Sequence, residues 1–183
     1  MTKTFETALV EQCAPTLAGV KPANLFRFSG EGVREAAEDW GRRLEPLGIC
    51  VRVLKECCGA CMIYVYRVRW VARLLAAPAN CRFLKEMGYA PADTDGMLAQ
   101  LSDRLCLERD YPHEIGVFLG YPLRDVIGFI ENRGWNYTCC GLWKSYSDPE
   151  KAQRCFDRYR KCTALYTRMY HQGTPVMQLV VAA

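Results

Sequence analysis

One histidine and one carboxylate stand together in the block HEIGVFLGYP. The block contains His113, Glu114, Gly116, Gly120 and Tyr121. An imidazole titrates near neutral pH, and glycines allow a backbone to approach a ligand closely. The block therefore predicts a ligand-binding turn, and the helix expected after it would direct its N-terminal amides toward an anionic group. The alternative is structural, because the same glycines also serve tight turns or close packing while His113 caps a neighbouring element.

A second set of candidate binding residues lies in the segment CAPTLAGVKPANLF, residues 13–26. Its proline and glycine content predicts a loop, and binding groups are often found on loops. The polar groups of this loop are Cys13, Thr16, Lys21 and Asn24. The GxxxxGK[ST] spacing of a P-loop is missing, and prolines that simply turn the chain would produce the same composition.

Together, the two segments support one functional hypothesis. Lys21 and Asn24 would converge with His113 and Glu114 on a cleft between residues 13–26 and 111–122. A lysine and a helix N-terminus at that cleft would both favour a negative charge. The sequence then predicts a protein that binds a small ligand or cofactor, with an anionic small molecule as its partner.

The cysteines offer a second hypothesis. The cluster CCGAC contains Cys57, Cys58 and Cys61, of which Cys58 and Cys61 have the CxxC spacing that occurs in redox couples and in half of a metal site. A four-thiolate site needs further ligands, and Cys139 and Cys140 would supply them only if their segment met the cluster. The protein would then be a metal-binding or thiol-redox accessory protein. Free cysteine is also a common core residue, so the same thiols need no function.

A third hypothesis is a non-catalytic interaction module, because no complete catalytic constellation is present and the sequence does not decide whether the protein is an enzyme. Aromatic residues and arginines alternate from Tyr64 to Trp70, as on a platform for single-stranded nucleic acid. A strand whose tyrosines pack in the core while Arg67 and Arg69 face water explains the pattern equally well. The net charge of +4 is spread among 24 basic and 20 acidic residues, which argues against a nucleic-acid partner.

The N-terminal sequence predicts a cytoplasmic protein. Glu6 and Glu11 interrupt the region where a secretion signal would be uncharged. Arginines interrupt the most apolar tracts, so no membrane span is expected. The 11 cysteines are an odd number and are expected to be reduced thiols.

The secondary structure that positions these residues is predicted to form an α+β fold in a single domain, residues 1–183. Period-2 alternation predicts a β-hairpin over residues 49–67 and a strand over 137–146, which together would form a small, mainly antiparallel sheet. Apolar residues at helical spacing predict several helices that cover this sheet. The strongest helix signal begins at Ser147-Asp-Pro-Glu150, which has capping-box spacing. Residues 176–181 are expected to be an edge strand or a loose apolar tail.

Residues 111–135 and the block CGLWKSYSDPEKAQ, residues 140–153, resemble the signature of an uncharacterised family of anaerobic Gram-positive bacteria, DUF3793. The segments CAPTLAGVKPANLF and IYVYR are similar to other blocks of that family, so the resemblance covers nearly the whole chain. It implies a bacterial protein. It implies no known substrate, cofactor or catalytic residue.

Overall fold

The computed structural model describes residues 3–107 and 111–182. Within this part of the chain there are eight α-helices and five strands. The helices are α1 (Phe5–Leu17), α2 (Val33–Leu44), α3 (Val68–Ala76), α4 (Pro78–Glu86), α5 (Thr94–Leu107), α6 (Ile115–Phe118), α7 (Leu123–Glu131) and α8 (Pro149–His171). The strands are β1 (Ala23–Ser29), β2 (Ile49–Cys57), β3 (Ala60–Arg67), β4 (Cys139–Cys140) and β5 (Lys144–Ser145). The predicted α+β class is confirmed.

The main sheet has the strand order β1-β3-β2, and both pairings are antiparallel. The predicted hairpin over residues 49–67 is confirmed as β2 and β3. Its turn consists of Cys58 and Gly59, which both have positive φ (51° and 71°). Positive φ at both central residues is typical of the two-residue type I′ turns that match the twist of a hairpin.

The third strand of the main sheet is β1, and the prediction of residues 137–146 for this position was wrong. The predicted loop over residues 13–26 was wrong at both ends. Residues 13–17 belong to α1, which contains Pro15, and residues 23–26 belong to β1, which begins after Pro22 and in which Phe26 and Phe28 alternate with other residues. Residues 139–145 instead form a separate hairpin of two-residue strands, β4 and β5, which packs against α7.

The central strand separates two apolar cores. Cys61, Ile63 and Val65 pack into the core formed with α1, α2 and the C-terminal residues. Tyr64 and Tyr66 face the opposite core, which α3 to α7 cover. Because successive strand residues point to opposite faces, a strand covered on both faces is apolar at nearly every position.

Arg67 ends the central strand and is buried, so the expectation that it faces water was wrong. It is 1% exposed. Its Nε donates to the carbonyl oxygen of Thr16 at 2.7 Å, and its Nη2 donates to those of Leu17 at 2.9 Å and Val181 at 2.6 Å. Arg69 is exposed as expected. Arg67 therefore ties the end of α1 and the C-terminal segment to the sheet.

The C-terminal segment is neither an edge strand nor a loose tail. Residues Val176–Gln178 form one 3₁₀ turn, and Val176 and Leu179 are buried in the core beside α1. The backbone N–H of Val181 donates to the carbonyl oxygen of Leu17, at the end of α1.

The strongly predicted last helix is confirmed as α8. Its N-cap is Asp148, whose carboxylate accepts from the backbone N–H groups of Glu150 and Lys151, so the cap lies one residue after the expected Ser147. Its buried face carries Ala152, Phe156 and Tyr159. Among the described residues, no helix combines the length and apolar character needed to cross a membrane.

Candidate functional site

Two neighbouring cavities share Leu119 and Tyr121 in their walls. The first, called the lysine cavity here, has a volume of about 540 Å³. Its other walls include Lys21, Asn24, Leu25, Leu142, Tyr159 and Arg160. The second, the histidine cavity, has a volume of about 430 Å³. Its other walls include Tyr111, His113, Asp125, Phe129, Trp143 and Lys144.

Gly120 brings the two predicted segments together. Its φ is +75°, and a Cβ added there would lie 2.2 Å from Cγ of Pro22. A side chain at this position would therefore separate the turn from the segment that carries Lys21. Gly116 packs similarly, since an added Cβ would lie 2.8 Å from Val126. Both glycines thus have a packing role at the site.

Lys21 lies in the wall of the lysine cavity and is 7% exposed. Its Nζ lies 5.4 Å from the ring centroid of Tyr121 and 5.9 Å from that of Tyr159. Within residues 3–107 and 111–182, no hydrogen bond or ion pair reaches this Nζ. Within the described residues, the ring faces of Tyr121 and Tyr159 are therefore the partners of this ammonium.

Burial lowers the pKa of Lys21 from 10.5 to about 8, because desolvation disfavours the ammonium. Cys13 and Cys155 lie close enough that a thiolate at either position would oppose part of this shift. Burial, however, raises the pKa of the Cys13 thiol, so Cys13 stays uncharged and supplies no counter-ion.

Asn24 is oriented by a neighbouring buried hydroxyl. Thr16, which is fully buried, donates from its Oγ1 to Oδ1 of Asn24 at 2.7 Å. That bond occupies the amide oxygen and leaves the Nδ2 donor of Asn24 for the lysine cavity. Lys21 and Asn24 therefore line one cavity.

The last helix completes the lysine cavity with residues that the sequence analysis did not assign to a site. Tyr159 and Arg160 belong to α8, whose apolar stripe indicated only a core helix. Arg160 is exposed and lies 3.7 Å from the carboxylate of Asp157. Glu11, on α1, also lines the cavity and is paired with Lys3 and His171. No local sequence signal brings α1 and α8 together.

The structure separates His113 and Glu114 from the lysine cavity. His113 is exposed in the histidine cavity, with its ring 4.8 Å from that of Phe129. Glu114 is 2% exposed and lines neither cavity. It accepts hydrogen bonds from the hydroxyl of Tyr89 at 3.1 Å and from Nη1 of Arg104 at 3.3 Å. Tyr121 is the residue of the predicted site that contacts both cavities.

Asp125 organises the wall between the cavities and was not foreseen. Its carboxylate accepts from Trp143 Nε1 at 2.8 Å, Ser145 Oγ at 3.1 Å and the backbone N–H of Tyr146 at 2.9 Å. Trp143 in turn stacks on Tyr121, with ring centroids 4.7 Å apart at 22°. The one available signal was an acidic residue beside the apolar stripe of α7. Asp125 therefore fixes the ring that Lys21 faces.

The cysteine candidates lie in two separate hairpins. Cys57 and Cys58 are exposed at the β2–β3 turn, where their Sγ atoms are 3.3 Å apart, whereas Cys61 is buried in the core. Cys139 and Cys140 belong to β4. In the part of the chain that the structure describes, no three His, Cys, Asp or Glu side chains are grouped to hold a metal ion. A metal or thiol-redox role stays a prediction.

Comparison with known proteins places the chain in one family. Residues 9–180 match the family described as "Protein of unknown function (DUF3793)". No curated protein and no solved structure matches the chain. Because the match covers nearly all of the 183 residues, including both segments of the candidate site, the chain belongs to the DUF3793 family.

Proposed function

We propose that this protein binds a small anionic ligand in the lysine cavity, with the negative group of the ligand at Lys21. One observation carries the proposal: Lys21 is only 7% exposed, yet its ammonium keeps accessible surface at a cavity of about 540 Å³ and has no hydrogen-bond or ion-pair partner among the described residues. Buried charges in proteins are ordinarily paired, so an anion in the cavity is the missing partner.

Energetics support this assignment. A pKa of about 8 instead of 10.5 means that burial of the Lys21 ammonium costs the folded protein free energy at neutral pH. An apolar residue of the same length would avoid that cost. Residues that reduce stability while facing a cavity are typical of binding sites.

The walls restrict the class of ligand. Tyr121, Tyr159 and Leu25 present apolar surface, whereas Asn24 and Arg160 add polar donors to the same cavity. A compound with a carboxylate and a flat apolar body matches both kinds of wall. This occupant also agrees with the predicted cleft between residues 13–26 and 111–122.

Benzoate, which combines a carboxylate with a flat ring, is a direct probe of the site. We expect it to raise the pKa of Lys21 from about 8 toward its usual value, because an adjacent anion favours the ammonium. The measurement is an NMR titration of the Lys21 side chain with and without benzoate. Inorganic phosphate in a parallel titration tests whether an anion without the ring suffices.

Two variants distinguish binding in the lysine cavity from a general effect of the positive charge of the protein. Lys21→Met should weaken benzoate binding by at least about tenfold, the loss expected from one charge-assisted contact. Lys161→Met removes the same charge from an exposed position of α8 and should leave binding unchanged. Equal binding of benzoate to both variants, or a Lys21 pKa that neither anion moves, would contradict the proposal.

The affinity for benzoate should also depend on pH. Below about pH 8 Lys21 is mostly charged, and above it the ammonium is lost. We therefore expect a constant affinity at pH 6 to 7 and a fall approaching tenfold per pH unit above about pH 8. Isothermal titration calorimetry across this range measures it, and an affinity that stays flat through pH 9 would show that Lys21 does not hold the anion.

A further inference from the structure

We propose that Lys21 is a nucleophile that forms an imine with the carbonyl group of a 2-oxo acid bound in the lysine cavity. This inference rests on the proposed function, because it names the class of anionic ligand. It adds a covalent step at the same amine.

The position of Lys21 suits such a reaction. Its Nζ lies beside the ring faces of Tyr121 and Tyr159 and has no hydrogen-bond partner among the residues described. A lysine amine that is desolvated in an apolar pocket is the usual form of an activated Schiff-base lysine. The aliphatic side chains of Leu25 and Leu119 line the same cavity and add to its apolar surface.

The protonation state of Lys21 also favours its attack on a carbonyl group. With a pKa of about 8, roughly a tenth of Lys21 is the free amine at pH 7, against less than about a thousandth of an ordinary lysine. Burial raises the pKa of Tyr121 and raises that of Tyr159 to about 12. Both phenols therefore stay neutral and do not form ion pairs with the amine.

The chemistry balances without an oxidant or reductant. The nitrogen lone pair of Lys21 attacks the carbonyl carbon, so that a C–N bond forms as the C–O π bond breaks, and one proton passes from the nitrogen to the oxygen to give a neutral carbinolamine. A proton from solvent then lets the hydroxyl leave as water, and the nitrogen lone pair forms the C=N bond of a protonated imine. The protonated imine keeps its positive charge next to the carboxylate of the 2-oxo acid, where Asn24 and Arg160 provide further donors.

Reductive trapping tests the inference on the unmodified protein. Glyoxylate is the probe, cyanoborohydride reduces any imine to a stable amine, and peptide mass spectrometry locates the adduct. At pH 7 we expect labelling of Lys21 to exceed that of the exposed residues Lys85 and Lys161 by more than about tenfold, because roughly a tenth of Lys21 is the free amine at this pH. Benzoate should suppress the labelling of Lys21 and leave the two exposed lysines unaffected.

Labelling of Lys21 no faster than that of Lys85 and Lys161 would overturn the imine. If benzoate still raised the pKa of Lys21 in the titration described above, anion binding would stand and only the covalent step would fall. If neither benzoate nor phosphate changed the pKa of Lys21, both proposals would fall. Rapid labelling of Lys21 that benzoate does not suppress would also overturn the inference, because it would place the reaction outside the anion site.

Discussion

Arg67 and Lys21 are both buried cations, but the protein surrounds them in opposite ways. The guanidinium of Arg67 donates three hydrogen bonds to backbone carbonyls at 2.6 to 2.9 Å. The ammonium of Lys21 has ring faces on two sides and a cavity beside it. A buried charge whose donors are satisfied by the chain holds the fold together, whereas one without such partners is available to a ligand. The stability effects of replacing each cation should therefore have opposite signs.

The largest expected effect is that of Arg67→Met. The variant removes three hydrogen bonds to carbonyl oxygens, two of which, on Thr16 and Leu17, also accept from backbone N–H groups, so we expect the free energy of unfolding to fall by about 3 kcal/mol. Urea denaturation measures it. Arg69→Met is the matched control, because Arg69 is exposed two residues away and should change stability by less than about 0.5 kcal/mol. Similar losses in the two variants would mean that the three contacts do not stabilise the fold.

The next largest effect on stability should come from replacing Asp125, which organises the wall between the two cavities. Asp125→Ala removes one acceptor from three donors, and we expect a loss of about 2–3 kcal/mol together with weaker benzoate binding, since Trp143 no longer fixes Tyr121. Denaturation and calorimetry measure the two effects. Asp103→Ala, at an exposed site on α5, serves as the control. Loss of stability with unchanged benzoate affinity would show that the contacts of Asp125 stabilise the fold without positioning the binding site.

The smallest effect, and the one of opposite sign, is that of Lys21→Met. At pH 7 the folded protein carries the cost of a buried ammonium, so this variant should be more stable by about 1–3 kcal/mol. The pKa is lower in the folded state than in the unfolded chain, so the unfolded chain binds more protons between about pH 8 and 10.5. Wild-type stability should therefore rise with pH across this window, and the advantage of the variant should shrink.

Denaturation of wild type, Lys21→Met and Lys161→Met at several pH values between 7 and 10 measures this difference. Lys161→Met should follow the wild type throughout, because Lys161 is exposed. If Lys21→Met were destabilised at pH 7, Lys21 would resemble Arg67, and the distinction between the two cations would be lost.

Much of the fold could be predicted because its signals are local. The β2–β3 hairpin and α8 each carry their own periodicity and end signals within a few residues. Strand β1 was missed because the prolines before it indicate a loop, and only pairing with β3 makes it part of a sheet. The β4–β5 hairpin was misplaced because alternation predicts a strand without specifying its partner.

The candidate site could likewise be predicted only in part. The sequence alone identified Lys21, Asn24 and Tyr121 as binding candidates, because polar and aromatic residues next to glycine and proline can be recognised without a structure. The tertiary structure decided the rest. It paired Glu114 with Tyr89 and Arg104, and it placed His113 in the neighbouring cavity. The long helix α8 closes the lysine cavity with residues more than 130 positions after Lys21. Whether a charge is buried with a partner or without one depends on such long-range packing, and no local pattern of residues encodes it.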